Sequence, residues 1–154
     1  MEKKTIEILK KAGWYEGRKI DIKEIVEFLQ VRGFKVHEKA KSFIREFGIL
    51  NIEAPTQFSE DIIKKYNFPK YDKHTTNIYE VLGGAIDSEY SEQYEDYTEE
   101  KLVIVGSLDN NNIYIMISES GKVYCDTGKL GDDFEEAWDT MLIPGRSPVA
   151  WQFL

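Results

Sequence analysis

Few side chains in this sequence have the chemistry of a catalyst or a metal ligand, and their spacing argues against both roles. The two histidines, His37 and His74, are far apart, and neither has a second histidine or a carboxylate at ligand spacing on one element. His37 falls in the first turn of an expected helix and reads as a solvated side chain. The single cysteine, Cys125, follows Val123 and Tyr124 in an apolar run, where a thiol behaves as a small core residue. Asp109-Asn110-Asn111-Asn112 is rich in oxygen donors but lacks the glycine and the distal glutamate of a calcium-binding helix–loop–helix, so it reads as a hairpin turn. The carboxylate pairs Glu99-Glu100, Asp132-Asp133 and Glu135-Glu136 lie in polar stretches, whereas a general acid needs burial to raise its pKa. Neither Gly83-Gly84 nor residues 128–131 show the pattern that cradles phosphate. No catalytic residue, no metal and no cofactor are therefore expected.

One stretch has the composition of a binding surface. Lysine and arginine are absent between Lys73 and Lys101, and residues 87–100 set Tyr90, Tyr94 and Tyr97 among seven carboxylates. Tyrosine offers a large contact area at small entropic cost, and a dense negative field steers basic partners. Glu89, Tyr90, Glu92, Tyr94, Glu95, Asp96, Tyr97 and Glu99 are the candidate contact residues. The bland alternative is a solvated acidic helix or loop. The charge is uneven along the chain: residues 1–73 hold 16 Lys/Arg against 12 Asp/Glu, and residues 74–154 hold 4 against 16, for a net charge of −8. Such a field repels nucleic acid and attracts basic proteins. No apolar run approaches the roughly 18–20 residues that cross a bilayer, and the first residues lack the apolar core of a signal peptide. With one cysteine there is no internal disulfide, and a cytoplasmic protein with no membrane partner is expected.

The strongest structural signal is residues 101–125. Leu102 to Val105 is a continuous apolar run, Ile113, Ile115 and Ile117 alternate with Tyr114 and Met116, and Val123 to Cys125 is a third short run. Strands buried on both faces read this way. The intervening Asp109–Asn112 and Ser118–Gly121 are turn chemistry, so a three-stranded antiparallel meander covered on both sides is predicted. Helices precede it. Ile6, Leu9 and Ala12 mark one; Ile22, Ile25, Val26 and Leu29 mark a second, with Asp21 and Glu24 placed as a capping box and Gly33 as its stop. Val36, Ala40, Phe43 and Phe47 mark a third, ended by Gly48. A short strand around 49–52, a short helix capped by Ser59 and another over 77–82 follow. After the meander, Asp133 and Glu136 open a last helix with Phe134, Ala137, Met141 and Leu142 on one face. This order predicts one α+β domain over 1–154, with N-terminal helices packed on an antiparallel sheet built around the meander and a closing C-terminal helix.

Gly13-Trp14-x-x-Gly17-Arg18 after a short helix, the stretch Phe43-Ile44-Arg45-Glu46-Phe47-Gly48-Ile49-Leu50, the run Val103 to Gly106, the strand–turn–Gly-x-Val-Tyr pattern of 115–124 and the Glu136-Ala137-Trp138 of the last helix occur in this order. Together they resemble the third subgroup of the SUKH superfamily. Ile49 departs from the pattern, which has a second glycine there. The resemblance implies an immunity protein of bacterial polymorphic toxin systems, which binds and neutralises a cognate toxin domain, commonly a nuclease or a deaminase, and is not an enzyme. It implies no catalytic residue. Gly13, Trp14, Gly17 and Arg18 are expected to be structural: glycines for unusual backbone angles, Trp14 as core, Arg18 as a partner for a carboxylate or a helix C-terminus. A basic toxin is then the expected partner of the acidic stretch. The alternatives are a non-catalytic scaffold or regulatory domain that binds another cytoplasmic protein, and a small carboxylate-dependent hydrolase or transferase. Oligomeric state is left open, because the apolar end from Val149 to Leu154 suits packing on the domain or on another copy.

Overall fold

In the computed structural model, which describes residues 1–154, the chain runs α1 (Lys3–Lys11), α2 (Lys23–Val31), α3 (Glu38–Phe47), β1 (Asn51–Pro55), α4 (Glu60–Tyr66), β2 (Tyr71–Thr75), α5 (Ile78–Leu82) and α6 (Ser88–Thr98). It continues with β3 (Leu102–Leu108), β4 (Ile113–Ser118), β5 (Val123–Cys125), β6 (Gly128–Gly131), α7 (Phe134–Leu142), β7 (Val149–Ala150) and a 3₁₀ turn, Trp151–Phe153. The strands form one seven-stranded antiparallel sheet in sequence order. The expected meander is its centre, as β3–β5, and every residue of β3 is buried. Short turns join β3–β4, β4–β5 and β5–β6, which makes those neighbours antiparallel hairpins, while α4, α5–α6 and α7 lie in the other three connections. None of the helices is long and apolar enough to cross a membrane.

The two faces of the sheet are covered by different chemistry. On one face α3 and α7 meet in an aromatic cluster, with the Phe43 ring 5.2 Å from Phe47 and from Phe134 and 5.8 Å from Trp138. On the other face α6 lies against β3 and β4, and Tyr90 packs edge-on against Tyr114 with ring centres 4.7 Å apart. Tyr114 and Met116 alternate with Ile115 and Ile117 along β4, and Met116 pairs with Tyr124, so the tyrosines share the α6 face.

The two motif segments near the N-terminus grip each other. Trp14 is buried, stacks on Phe47 at 6.1 Å and donates from Nε1 to Glu46 Oε2 at 3.0 Å. Arg18 is buried too, and its Nη1 donates to the Glu46 carbonyl at 2.8 Å, in the last turn of α3. That carbonyl is at the negative end of the helix, where a cation is favoured. Burial lowers the pKa of the Arg18 guanidinium from its ordinary value.

Three local expectations need correction. Asp21 does not cap α2: its carboxylate accepts from Lys23 N at 3.0 Å in a tight turn, and α2 starts after Ile22 with no side-chain cap. Ile22 is buried, and drawing it into the core shifts the start by one residue. His37 is not a solvated first-turn residue. It is the N-cap of α3, with Nδ1 accepting from Ala40 N at 3.2 Å and Nε2 3.1 Å from the Ile117 carbonyl, so it ties α3 to β4. Gly48 ends α3 as expected, in an extended conformation, with the left-handed residue following at Ile49, φ 57°. Finally, the sheet is larger than the meander with one short strand before it: β2, β6 and β7 extend it, and the chain passes beyond the closing helix.

Candidate interaction surface

α6 separates the acidic, tyrosine-rich stretch into an inner and an outer set. Asp87 starts the helix by accepting from Glu89 N at 2.9 Å, and Glu99, at φ 57°, ends it. Tyr90 and Tyr94 turn inward. Both hydroxyls donate to Asp126 Oδ2, Tyr94 at 3.4 Å, while Asp126 Oδ1 accepts the Tyr114 backbone N–H at 2.6 Å. Burial pushes the Tyr90 hydroxyl far above its ordinary pKa, and its bond to Asp126 adds to the shift; Tyr94 moves the same way, again chiefly through burial. Glu95 also faces the sheet: Oε2 accepts from Leu102 N at 2.8 Å and Oε1 lies 3.4 Å from Lys101 Nζ. Buried Ser91 lets the helix approach, its hydroxyl reaching the Leu102 carbonyl at 3.4 Å.

The outer set is Glu89, Glu92, Asp96, Tyr97 and Glu99, all exposed. None of them makes a hydrogen bond through its side chain, in contrast to Glu95. Tyr97 is 66% exposed and stacks at 5.4 Å on Trp151. Trp151 also stacks on Tyr94 and Tyr124 and donates from Nε1 to the Asp126 carbonyl at 2.9 Å. The end of the chain thus packs on the domain through Trp151, and Phe153 and Leu154 stay exposed. β7 reaches β6 because Gly128 has no side chain: a Cβ there would sit 2.0 Å from the Val149 carbonyl oxygen.

Asp126 and Trp151 are the residues that sequence reasoning did not single out for this surface. Asp126 is a lone acid in the turn between β5 and β6, and nothing local marks it as the acceptor for a helix 32–36 residues away.

The other residues with chemical potential are used by the fold. Glu100 pins the β4–β5 turn, accepting from Ser120 N at 2.7 Å. Asp133 caps α7 through Glu136 N at 2.8 Å, and Glu136 accepts from Asp132 N at 3.1 Å. Asp132 pairs with Lys129 at 2.8 Å, which lowers its pKa. Cys125 is buried, and burial raises its pKa. His74 is buried with Nδ1 accepting from Asp109 N at 3.0 Å, and burial lowers its pKa, so the ring is neutral at pH 7. No three His, Cys, Asp or Glu side chains converge in a metal-binding group. A concavity of about 580 Å³ opens between α1, β1–β2 and the Asp109–Asn112 turn; its carboxylates, Glu53 and Glu80, are both exposed.

The motif residues thus clamp parts of the domain together, within an α+β fold. The chain belongs to the SUKH-3 immunity protein family, whose model matches residues 1–143. No match is found among the curated proteins or among the solved structures. The matched span includes the Trp14–Glu46–Arg18 clamp, the whole meander and α7; Trp151 lies outside it.

Proposed function

We propose that this immunity protein neutralises a cognate toxin domain by binding it through the outward face of α6. The single observation that carries the reading is the division of that helix. Tyr90, Tyr94 and Glu95 anchor it to the sheet, Glu89, Glu92, Asp96 and Glu99 face solvent with no side-chain partner in the chain, and Tyr97, stacked on Trp151, keeps its other side exposed. A rigid, preformed acidic face costs little to order when a partner docks. A toxin that acts on nucleic acid, such as a nuclease or a deaminase, is basic where it grips phosphate. An acidic face laid over that site competes with substrate, with Tyr97 as the aromatic contact.

The protein acts by occupancy and performs no reaction. Cys125 and His74 are buried and tied into the fold, and the carboxylates of the 580 Å³ concavity lack the burial that makes a general acid. In this reading it works in the bacterial cytoplasm, beside the toxin of a polymorphic toxin system. Reversing Glu89, Glu92 and Asp96 to lysine tests it. Affinity for the toxin domain encoded by the neighbouring gene should fall at least about tenfold, and the salt dependence of association should flatten. Unchanged affinity and an unchanged salt slope would sink the assignment of the face.

A further inference from the structure

The arm between β1 and β2 carries a hydrophobic surface that the fold does not use. α4, at its centre, buries no residue. Phe58, Ile62, Tyr66, Phe68 and Tyr71 are 52, 38, 57, 39 and 57% exposed, and none of them joins the main core. They are grouped: the Phe58 and Phe68 rings are 5.0 Å apart and the Tyr66 and Phe68 rings 5.5 Å. Ile62 and Tyr66 are four residues apart, on one face of the helix. A contiguous apolar patch of this kind on a domain's outside marks an interaction surface.

The charges around the patch specify what covers it. The first turn of α4 is acidic, with Glu60 and Asp61, and its last turn is basic, with Lys64 and Lys65. Asp61 and Lys65 are also four residues apart, so they run along one flank of the Ile62–Tyr66 stripe. When two such helices lie antiparallel about a two-fold axis, the same flank of each faces the other, and each acidic turn meets a basic turn. Asp61 then faces Lys65 of the second copy, Lys65 faces the second copy's Asp61, and the apolar stripes close on each other. A parallel pairing would set acidic turn beside acidic turn, and a partner of one sign would match only half of the helix. Two-fold, self-complementary contacts are the commonest form of self-association.

We propose that the β1–β2 arm is a self-association surface, on which α4 packs antiparallel against α4 of a second copy. The contact rests on five partly exposed apolar side chains and one charged pair per copy, far fewer than the about 20–30 residues a side of a standard interface, so the dimer is reversible and forms in the micromolar range. The proposal is independent of toxin binding, which it places on another helix.

Sedimentation equilibrium of the full chain, from low micromolar to several hundred micromolar, tests it. The mass should rise with concentration from 17.9 kDa toward twice that value. Tyr66→Ser combined with Phe68→Ser should hold the protein at monomer mass throughout, with an unchanged circular dichroism spectrum because α4 buries nothing. Lys65→Glu and Asp61→Lys should each abolish the dimer alone, because each gives the flank a single sign. An equimolar mixture of those two variants should recover it. A wild-type mass that stays monomeric at every concentration overturns the proposal and leaves the arm to a partner of another kind. A dimer that survives Tyr66→Ser/Phe68→Ser also overturns it, and a mixture that remains monomeric rejects the antiparallel pairing.

Discussion

α4 and α6 are both short, charged surface helices with tyrosines, yet they use those residues in opposite ways. In α6 Glu89, Glu92 and Asp96 face out, Glu95 turns to the sheet, and Tyr90 and Tyr94 reach inward to Asp126, Tyr114 and Trp151. In α4 no residue is buried, and Tyr66 joins Phe58 and Phe68 outside. The difference lies in what stands behind each helix. α6 crosses the fully buried β3 and finds a polar acceptor at the right depth; α4 projects from the outer hairpin, with little sheet beneath it. A tyrosine is an anchor where an apolar platform and a buried acceptor coincide, and a contact residue where neither does.

That contrast can be broken first at Asp126. Asp126→Ala removes the acceptor shared by two tyrosine hydroxyls and one backbone N–H, and leaving such groups unpaired costs about 3 kcal/mol in total. Tyr66→Ala in α4 should cost less than about 0.5 kcal/mol, as an exposed substitution does. Urea denaturation measures both, and similar losses would erase the distinction between the helices. Trp151→Ala comes next. It removes a ring stacked on Tyr94, Tyr97 and Tyr124, and a loss of about 2 kcal/mol is expected in the same assay.

A pH titration sharpens the comparison further. The folded-state pKa of Tyr90 is raised, so its stabilising contribution is complete below the ordinary tyrosine value of 10.0 and is lost as pH rises beyond it, when the unfolded chain ionises first. Tyr90→Phe should cost about 1 kcal/mol at neutral pH and make the alkaline fall in thermal stability shallower. Tyr94 and Tyr124 are shifted in the same direction and keep part of that fall. Tyr66→Phe should leave the alkaline limb as it is. One effect of opposite sign lies outside both helices. Ile49→Gly relieves a branched residue at φ 57° and should raise stability by about 1 kcal/mol without altering the α4–α6 contrast.

What the sequence disclosed follows the same physics. β3–β5 were legible because continuous apolar runs between turn residues have few other solutions, and α3 and α7 because their apolar faces repeat at helical spacing. β2 was hidden because Tyr71-Asp72-Lys73-His74-Thr75 is polar, with His74 and Thr75 its only buried residues. β6 was hidden by its glycines and β7 by its length of two residues. The acidic composition of residues 87–100 marked a surface, but which tyrosines face it depends on Asp126 and Trp151, brought there by tertiary structure. His37 was misread for a similar reason: its second nitrogen meets the Ile117 carbonyl across the sheet, a contact no local pattern announces.

The most direct test of the central claim is a co-expression rescue. The C-terminal domain of the protein encoded by the neighbouring gene is expressed alone, with this chain, and with its Glu89→Lys/Glu92→Lys/Asp96→Lys form, and surviving cells are counted. Binding through α6 predicts killing by the domain alone, full survival with the natural chain, co-purification of the two proteins, and lost protection with the reversed face. Killing that the natural chain does not relieve, or equal protection by both forms, would contradict it.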